Sequence, residues 1–342
     1  MNYTVVLIPG DGIGPEVCAA TQAILTAADA PVTFIERQAG EAALAQGHTE
    51  LLPGPTLDAI REHRVALKGP CTTPIGQGFR SVNVALRQQL KLFAAVRPVR
   101  TMPGVKTRYE GVDLVIVREN TEGLYSGVEN VITEDVVASM KVATRGACHR
   151  IAHWAFRYAT QRQRKQITVF HKANIMKMTD GMFLEESRAV HKQDYPNIAY
   201  DELIIDAALM RLVLNPGEFD ILLCENLYGD LVSDLCAGLV GGLGVAPGAN
   251  IGKHQAIFEA VHGSAPTLAG TGTANPLALL MSATMMLNYL ADLHDDETCR
   301  KIATQIKQAY DQALCDGQRT RDLNGELNTA GFTEAVIARL RG

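Results

Sequence analysis

Short apolar runs alternate with longer amphipathic stretches along this chain. The run "TVVLIPG" (4–10) precedes a helical pattern around 15–28, and "VTFIER" (32–37) precedes another around 55–63. Further strand-like runs stand at "RVALKG", "DLVIVREN", "QITVFHK", "YDELIID" and "FDILLCEN". This alternation predicts an α/β protein with sheets flanked by helices. The long apolar stretch "LALLMSATMMLNYLA" (277–291) is interrupted by Ser, Thr and Asn. It is too short to span a bilayer and predicts a buried helix. No repeat or low-complexity linker marks a boundary. The polar-glycine segments at 100–111 and 238–252 are the best points for the chain to cross between domains.

The first strand runs into "PGDGIGPEV" (9–17), where Gly10, Gly12 and Gly14 alternate with other residues. A dinucleotide fingerprint needs G-x-G-x-x-G and an acid closing the second strand. Here the spacing is G-x-G-x-G followed by proline, and Glu36 is a weak candidate for the acid. Glycines for a tight turn and Pro15 at a helix start account for the pattern. A tight, non-Rossmann strand-to-helix entry turn is expected.

Composition narrows the picture further. A length of 342 residues suits one large domain or two of ordinary size. A net charge of −5 with no dense basic run excludes general nucleic-acid affinity. The seven cysteines are scattered without a C-x-x-C pair, as in a reducing compartment. With no visible leader pattern or membrane span, a soluble, cytoplasmic protein is expected.

Several constellations carry chemistry. In "ENLYGDLVSDLCAGL", Asp230 and Asp234 stand four apart at the start of a helical pattern after a strand. That spacing puts both carboxylates on one helix face, where a hard divalent cation relieves their repulsion. In "LIIDAALM", Asp206 lies in a strongly apolar run, so burial is expected to demand a partner or metal and makes it the natural third carboxylate. In "GFRSVNVALRQQL", Asn83 and Arg87 are i, i+4 on a helix, with Ser81 placed as N-cap. Arg97 follows in an apolar run, and Arg118 ends the strand of "LVIVRENTEGLYSG". Arg87, Arg97 and Arg118 together suit a polycarboxylic acid. Tyr125 is a proton-donor candidate if a nearby cation lowers its pKa. Lys172 directly follows a strand, with Asn174 close by.

Together with "HKANIMK" and "FEAVHGSAPTLAGTGTANP", these motifs resemble the isocitrate and isopropylmalate dehydrogenase family over essentially the whole chain. "TTPIGQGFRSVNVALRQQL" is similar to the isocitrate branch, in which the serine and asparagine matching Ser81 and Asn83 hold the third carboxylate. The resemblance implies a two-domain fold, with residues 1–98 and 247–342 forming a large cofactor-binding domain and 99–246 a small one for metal, substrate and dimerisation. It implies oxidative decarboxylation of isocitrate to 2-oxoglutarate and CO2. Arg87, Arg97 and Arg118 would clamp carboxylates, and Asp206, Asp230 and Asp234 would hold Mg²⁺ or Mn²⁺. Lys172 would assist deprotonation of the hydroxyl, and Tyr125 would protonate the enol carbon. Cofactor contacts are implied at Thr73, Asn174, Glu259, His262, Gly263, Ala265, Thr267, Leu268, Asn275 and Asp322. Leu268 and Ala274 look like the NAD type, with NADP as the alternative acceptor. In this family the lysine and first aspartate serve the partner's site, which implies a homodimer or larger homo-oligomer with shared active sites. Other substrates in the family are homoisocitrate, 3-isopropylmalate and tartrate, and some members are non-catalytic regulatory subunits.

Overall fold

The computed structural model describes residues 2–73 and 81–341. The chain gathers into two compact units, one of residues 1–90, 101–108 and 240–342, the other of 91–100 and 109–239.

The first unit opens with β1 (Tyr3–Ile8), α1 (Gly14–Ala27), β2 (Val32–Glu36), the short α2 (Glu41–Ala45), α3 (Gly54–His63), β3 (Val65–Lys68) and α4 (Val82–Gln89). The chain then enters the second unit through β4 (Ala94–Arg100), β5 (Asp113–Glu119), the hairpin β6 (Gly123–Thr133) and β7 (Val136–Val142), and α5 (Arg145–Gln161). It continues as β8 (Gln166–His171), α6 (Thr179–Asp194), β9 (Ala199–Ile204), α7 (Ile205–Leu214), β10 (Ile221–Cys224) and α8 (Asn226–Leu239). Back in the first unit come β11 (Pro247–Ile251), β12 (Ala256–Ala260), α9 (Leu277–His294), α10 (Glu297–Cys315) and α11 (Thr329–Leu340).

In the first unit the strands lie in the order β2-β1-β3-β12-β11. All neighbouring pairs are parallel except β11 with β12. β3 is buried throughout and β1 from Val5 to Ile8, which is why they read as continuous apolar runs. α9 is the expected buried helix, and its Ser282 and Thr284 hydroxyls donate back to main-chain carbonyls of their own helix. Among the described residues no helix is long and apolar enough to cross a membrane.

The glycine loop is a wedge between two other loops. Ile13 N–H donates to Ser264 O at 2.9 Å, and Asp11 N–H to Pro70 O at 2.7 Å. Gly12 has φ +59°, and a Cβ there would lie 2.0 Å from Ser264 O, so only glycine permits this approach. The Asp11 carboxylate accepts main-chain N–H bonds from Glu41 (3.1 Å), Ala42 (2.7 Å) and Thr72 (2.6 Å). The entry turn thereby ties 70–72 and the loop after β12 to the start of α1.

In the second unit the order is β4-β5-β10-β8-β9, with only the β4–β5 pair antiparallel. β5 and β10 are therefore interior strands, and their carboxyl ends lead to Arg118 and to α8. The hairpin β6–β7 forms its own two-stranded sheet. Its Val131, Ile132, Val137 and Met140 are exposed, so burial does not explain their apolar character within this chain.

Candidate active site

Arg118 is the penultimate residue of β5 and is fully buried. A guanidinium there requires partners, and α8 provides them. Its Nε and Nη2 donate to Asn226 Oδ1 at 3.0 and 2.7 Å, and its Nη1 pairs with Asp230. Asp230 also accepts from the Tyr125 hydroxyl. Arg97, on β4, hydrogen-bonds Ser233 and lies 3.6 Å from Asp230 and 3.7 Å from Asp234. The apolar run around Arg97 is thus a buried strand whose cation meets the acids of α8. Asp230 and Asp234 do share the helix face expected from their spacing.

Burial pushes the Asp230 carboxyl up, but Arg118, the Tyr125 hydroxyl and Arg97 outweigh it and hold it below the ordinary range. The idea that a cation lowers the Tyr125 pKa is corrected. Burial and the hydrogen bond to Asp230 raise it, and Arg118, 5.0 Å from the ring centre, only partly opposes them. Tyr125 therefore keeps its proton at neutral pH.

Asp206 is also corrected. It is not buried in a strand: β9 ends at Ile204, and Asp206 is exposed in the first turn of α7. A carboxylate is favoured at that helix end, and it pairs with Lys172 Nζ. The bond from Lys172 holds the Asp206 carboxyl below its usual value. Lys172 is steadied through its main-chain N–H, which donates to the buried Asp180 at 2.7 Å, while Lys141 Nζ reaches the same carboxylate at 2.5 Å. Neither Asp180 nor Lys141 was apparent as a site residue from the sequence.

Among the described residues, no group of three or more His, Cys, Asp or Glu is gathered as a metal site. One chain thus brings together Asp230 and Asp234, while Asp206 stands with Lys172. Two carboxylates on successive helix turns remain a hard-oxygen donor pair that fits a divalent cation.

In the first unit, Ser81 is the N-cap of α4 as expected, accepting from Val84 N–H at 3.5 Å. Asn83 Oδ1 is buried without a partner among the described residues. Thr73 Oγ1 accepts from Val82 N–H at 3.3 Å. Residues 74–80 of the motif "TTPIGQGFRSVN", Arg80 included, lie outside the described residues.

The loop after β12 carries the other expected cofactor residues. His262 Nδ1 bonds Gly263 O at 3.0 Å, and its Nε2 is buried without a partner among the described residues. Burial lowers its pKa, so the ring is neutral and offers an acceptor to a ligand. Gly263, Thr267 and Leu268 are exposed, and Ala265 sits at φ +40° before the turn Pro266–Leu268. Asn275 donates to Asp322 at 2.9 Å and accepts from Leu277 N–H at 3.0 Å. Glu259 is committed elsewhere, to Lys68 Nζ at 2.6 Å and Asn250 at 2.7 Å. Lys68 was missed in the sequence, although a lysine ending the apolar "RVALKG" was a usable signal. Asn174, in the second unit, is exposed beside Lys172.

Residues 4–336 match the family model described as Isocitrate/isopropylmalate dehydrogenase. The chain belongs to this family. It is 47% identical over 339 residues to the protein named Isocitrate dehydrogenase [NAD] catalytic subunit 5, mitochondrial, of Arabidopsis thaliana, spanning 98% of this chain and 88% of that one. It is 44% identical over 338 residues to a mitochondrial protein of Dictyostelium discoideum named as a regulatory subunit of NAD-type isocitrate dehydrogenase, spanning 98% and 91%. The crystal structure of isocitrate dehydrogenase from Methylococcus capsulatus matches with a TM-score of 0.93 and 45% identity, over 99% of this chain and all of that one. The family and the α/β fold expected from the motifs are both borne out. The cytoplasmic expectation is overturned, because the plant and slime-mould relatives are both mitochondrial by name. Their names also speak of distinct subunits, so a homodimer is not what the relatives suggest.

Proposed function

We propose that this chain is the catalytic type of subunit of an NAD-dependent isocitrate dehydrogenase, converting isocitrate to 2-oxoglutarate and CO2. The observation that carries this is the cluster in the second unit, where Asp230 meets Arg97, Arg118 and Tyr125 with Asp234 one turn on. Cations for a polycarboxylate, acids for a divalent ion and a protonated phenol are all present within it. Bound Mg²⁺ or Mn²⁺ supplies a Lewis acid and NAD accepts the hydride.

This chain's own residues do the rest. Arg97 and Arg118 hold substrate carboxylates, while Ser81, Asn83 and Arg87 are assigned the third carboxylate on the family resemblance. Tyr125 holds the proton that replaces CO2 on carbon. Asp230 and Asp234 are the metal carboxylates of one chain. Lys172, oriented by Asp206, takes the hydroxyl proton in the site of a neighbouring subunit. Support for such a neighbour comes from Ile175, Met178, Met210, Leu214 and Leu231, all large, apolar and exposed. The neighbour is a second copy or a homologous chain. His262, Asn275 and Asp322 are assigned to the adenosine end of NAD.

A regulatory role has a specific motive in the slime-mould relative, whose name calls it regulatory. Against it stands the complete set of Tyr125, Lys172, Asp206, Asp230 and Asp234 in this chain. Initial rates with isocitrate, homoisocitrate, 3-isopropylmalate and tartrate, with NAD or NADP and with or without Mn²⁺, test the proposal. Metal-dependent reduction of NAD by isocitrate alone is expected. No turnover with isocitrate, or equal rates with 3-isopropylmalate, would refute it.

A further inference from the structure

Asn226 is the first residue of α8, is 2% exposed, and belongs to none of the roles above. Its Oδ1 accepts from both Nε and Nη2 of Arg118, and its Nδ2 donates to Glu122 O at 2.8 Å. One amide therefore joins three pieces: the arginine of β5, the loop leading to Tyr125, and the helix carrying Asp230 and Asp234. One turn on, Gly229 leaves room for the arginine stem. A Cβ there would lie 2.5 Å from Arg118 Cγ and 2.6 Å from its Cβ.

We infer that Asn226 is a positioning residue that sets which edge of the Arg118 fork meets the substrate. A guanidinium has five N–H donors. Asn226 takes the Nε hydrogen and one on Nη2, and Asp230 takes one on Nη1. The hydrogens left are on the two Nη nitrogens, where the guanidinium also bonds Tyr125. The side edge, Nε with Nη2, is closed to any ligand, and a substrate carboxylate meets only the Nη end. Because Arg118 is fully buried and Gly229 lets α8 lie against its stem, the fork has no second position to adopt.

The inference rests on the proposed isocitrate activity, and its test separates the two. Asn226→Ala, purified as the protein naturally assembles, opens the side edge and frees the fork to turn. The KM for isocitrate is expected to rise about tenfold or more, the scale of a charge-assisted contact. KM for NAD and kcat should stay within about twofold, a split that a merely loosened fold would not produce. If the alanine variant does not fold, Asn226→Ser, which keeps a shorter oxygen on that face, carries the same comparison. An unchanged isocitrate KM, or isocitrate and NAD values rising together, overturns the role of Asn226 while leaving the activity intact. Absence of isocitrate turnover in the unaltered protein overturns both.

Discussion

Replacing Asp11 by alanine tests whether the glycine loop organises the neighbouring loops rather than binding phosphate. Its carboxylate serves three main-chain N–H groups, two at the start of α2 and one on Thr72. A hydrogen bond to a charged acceptor contributes about 1.5–3 kcal/mol net when its loss leaves a buried group stranded. Glu41 is exposed, and Ala42 and Thr72 are half-buried, so water can reach the abandoned donors. About 1 kcal/mol for each is then the better figure, and about 3 kcal/mol is expected in total. That is a large part of a typical folding free energy of about 5–15 kcal/mol, yet it leaves the protein folded. Urea unfolding followed by far-UV circular dichroism measures it. Asp11→Asn should fall between wild type and alanine, because one amide oxygen cannot replace two carboxylate oxygens facing three donors. Initial rates should show a several-fold rise in KM for NAD, since Thr72 also holds Ser264 through its hydroxyl at 2.7 Å. An alanine variant within about 0.5 kcal/mol of wild type, the ordinary range for surface substitutions, would refute the reasoning.

Two further outcomes are expected. Gly229→Ala gains about 1 kcal/mol of helix propensity but forces a methyl into the Arg118 stem, an overpacking cost of about 1–3 kcal/mol. A lower melting temperature and weaker isocitrate binding by calorimetry should result, whereas a stabilised variant with unchanged affinity would show that Arg118 yields freely. For the buried Lys68–Glu259 pair, burial opposes both charges, yet Lys68 holds Glu259 below the usual carboxylate range and Glu259 holds Lys68 above its own. The pair's contribution is therefore complete between the ordinary values of about 4.3 and 10.4. It is lost as falling pH protonates Glu259 and as rising pH deprotonates Lys68. Urea unfolding across pH should show flatter acid and alkaline limbs in a Lys68→Met, Glu259→Gln double variant, and identical limbs would remove the pair from the account.

Local periodicity was legible wherever a residue's neighbours along the chain settle its surroundings. Strands β1, β5, β8 and β10 are apolar because both faces of an interior strand are covered. The Ser81 cap, the shared face of Asp230 and Asp234, and buried α9 follow from helix geometry alone. Long motifs carried the family in the same way, as ordered residue types.

Partnership between charges was not legible, because its range is spatial. Arg118 and Asn226 are 108 positions apart, and Lys172 and Asp206 are 34 apart. Asp206 looked buried because its flanks are apolar, but a strand ending two residues earlier turned it outward into the first turn of α7. The Tyr125 reading depended on a cation lowering its pKa, yet its hydroxyl donates to the carboxylate of Asp230, which raises it. Periodicity reports which face of an element is covered; folding brings distant elements together and so selects the partner of each charge on that face.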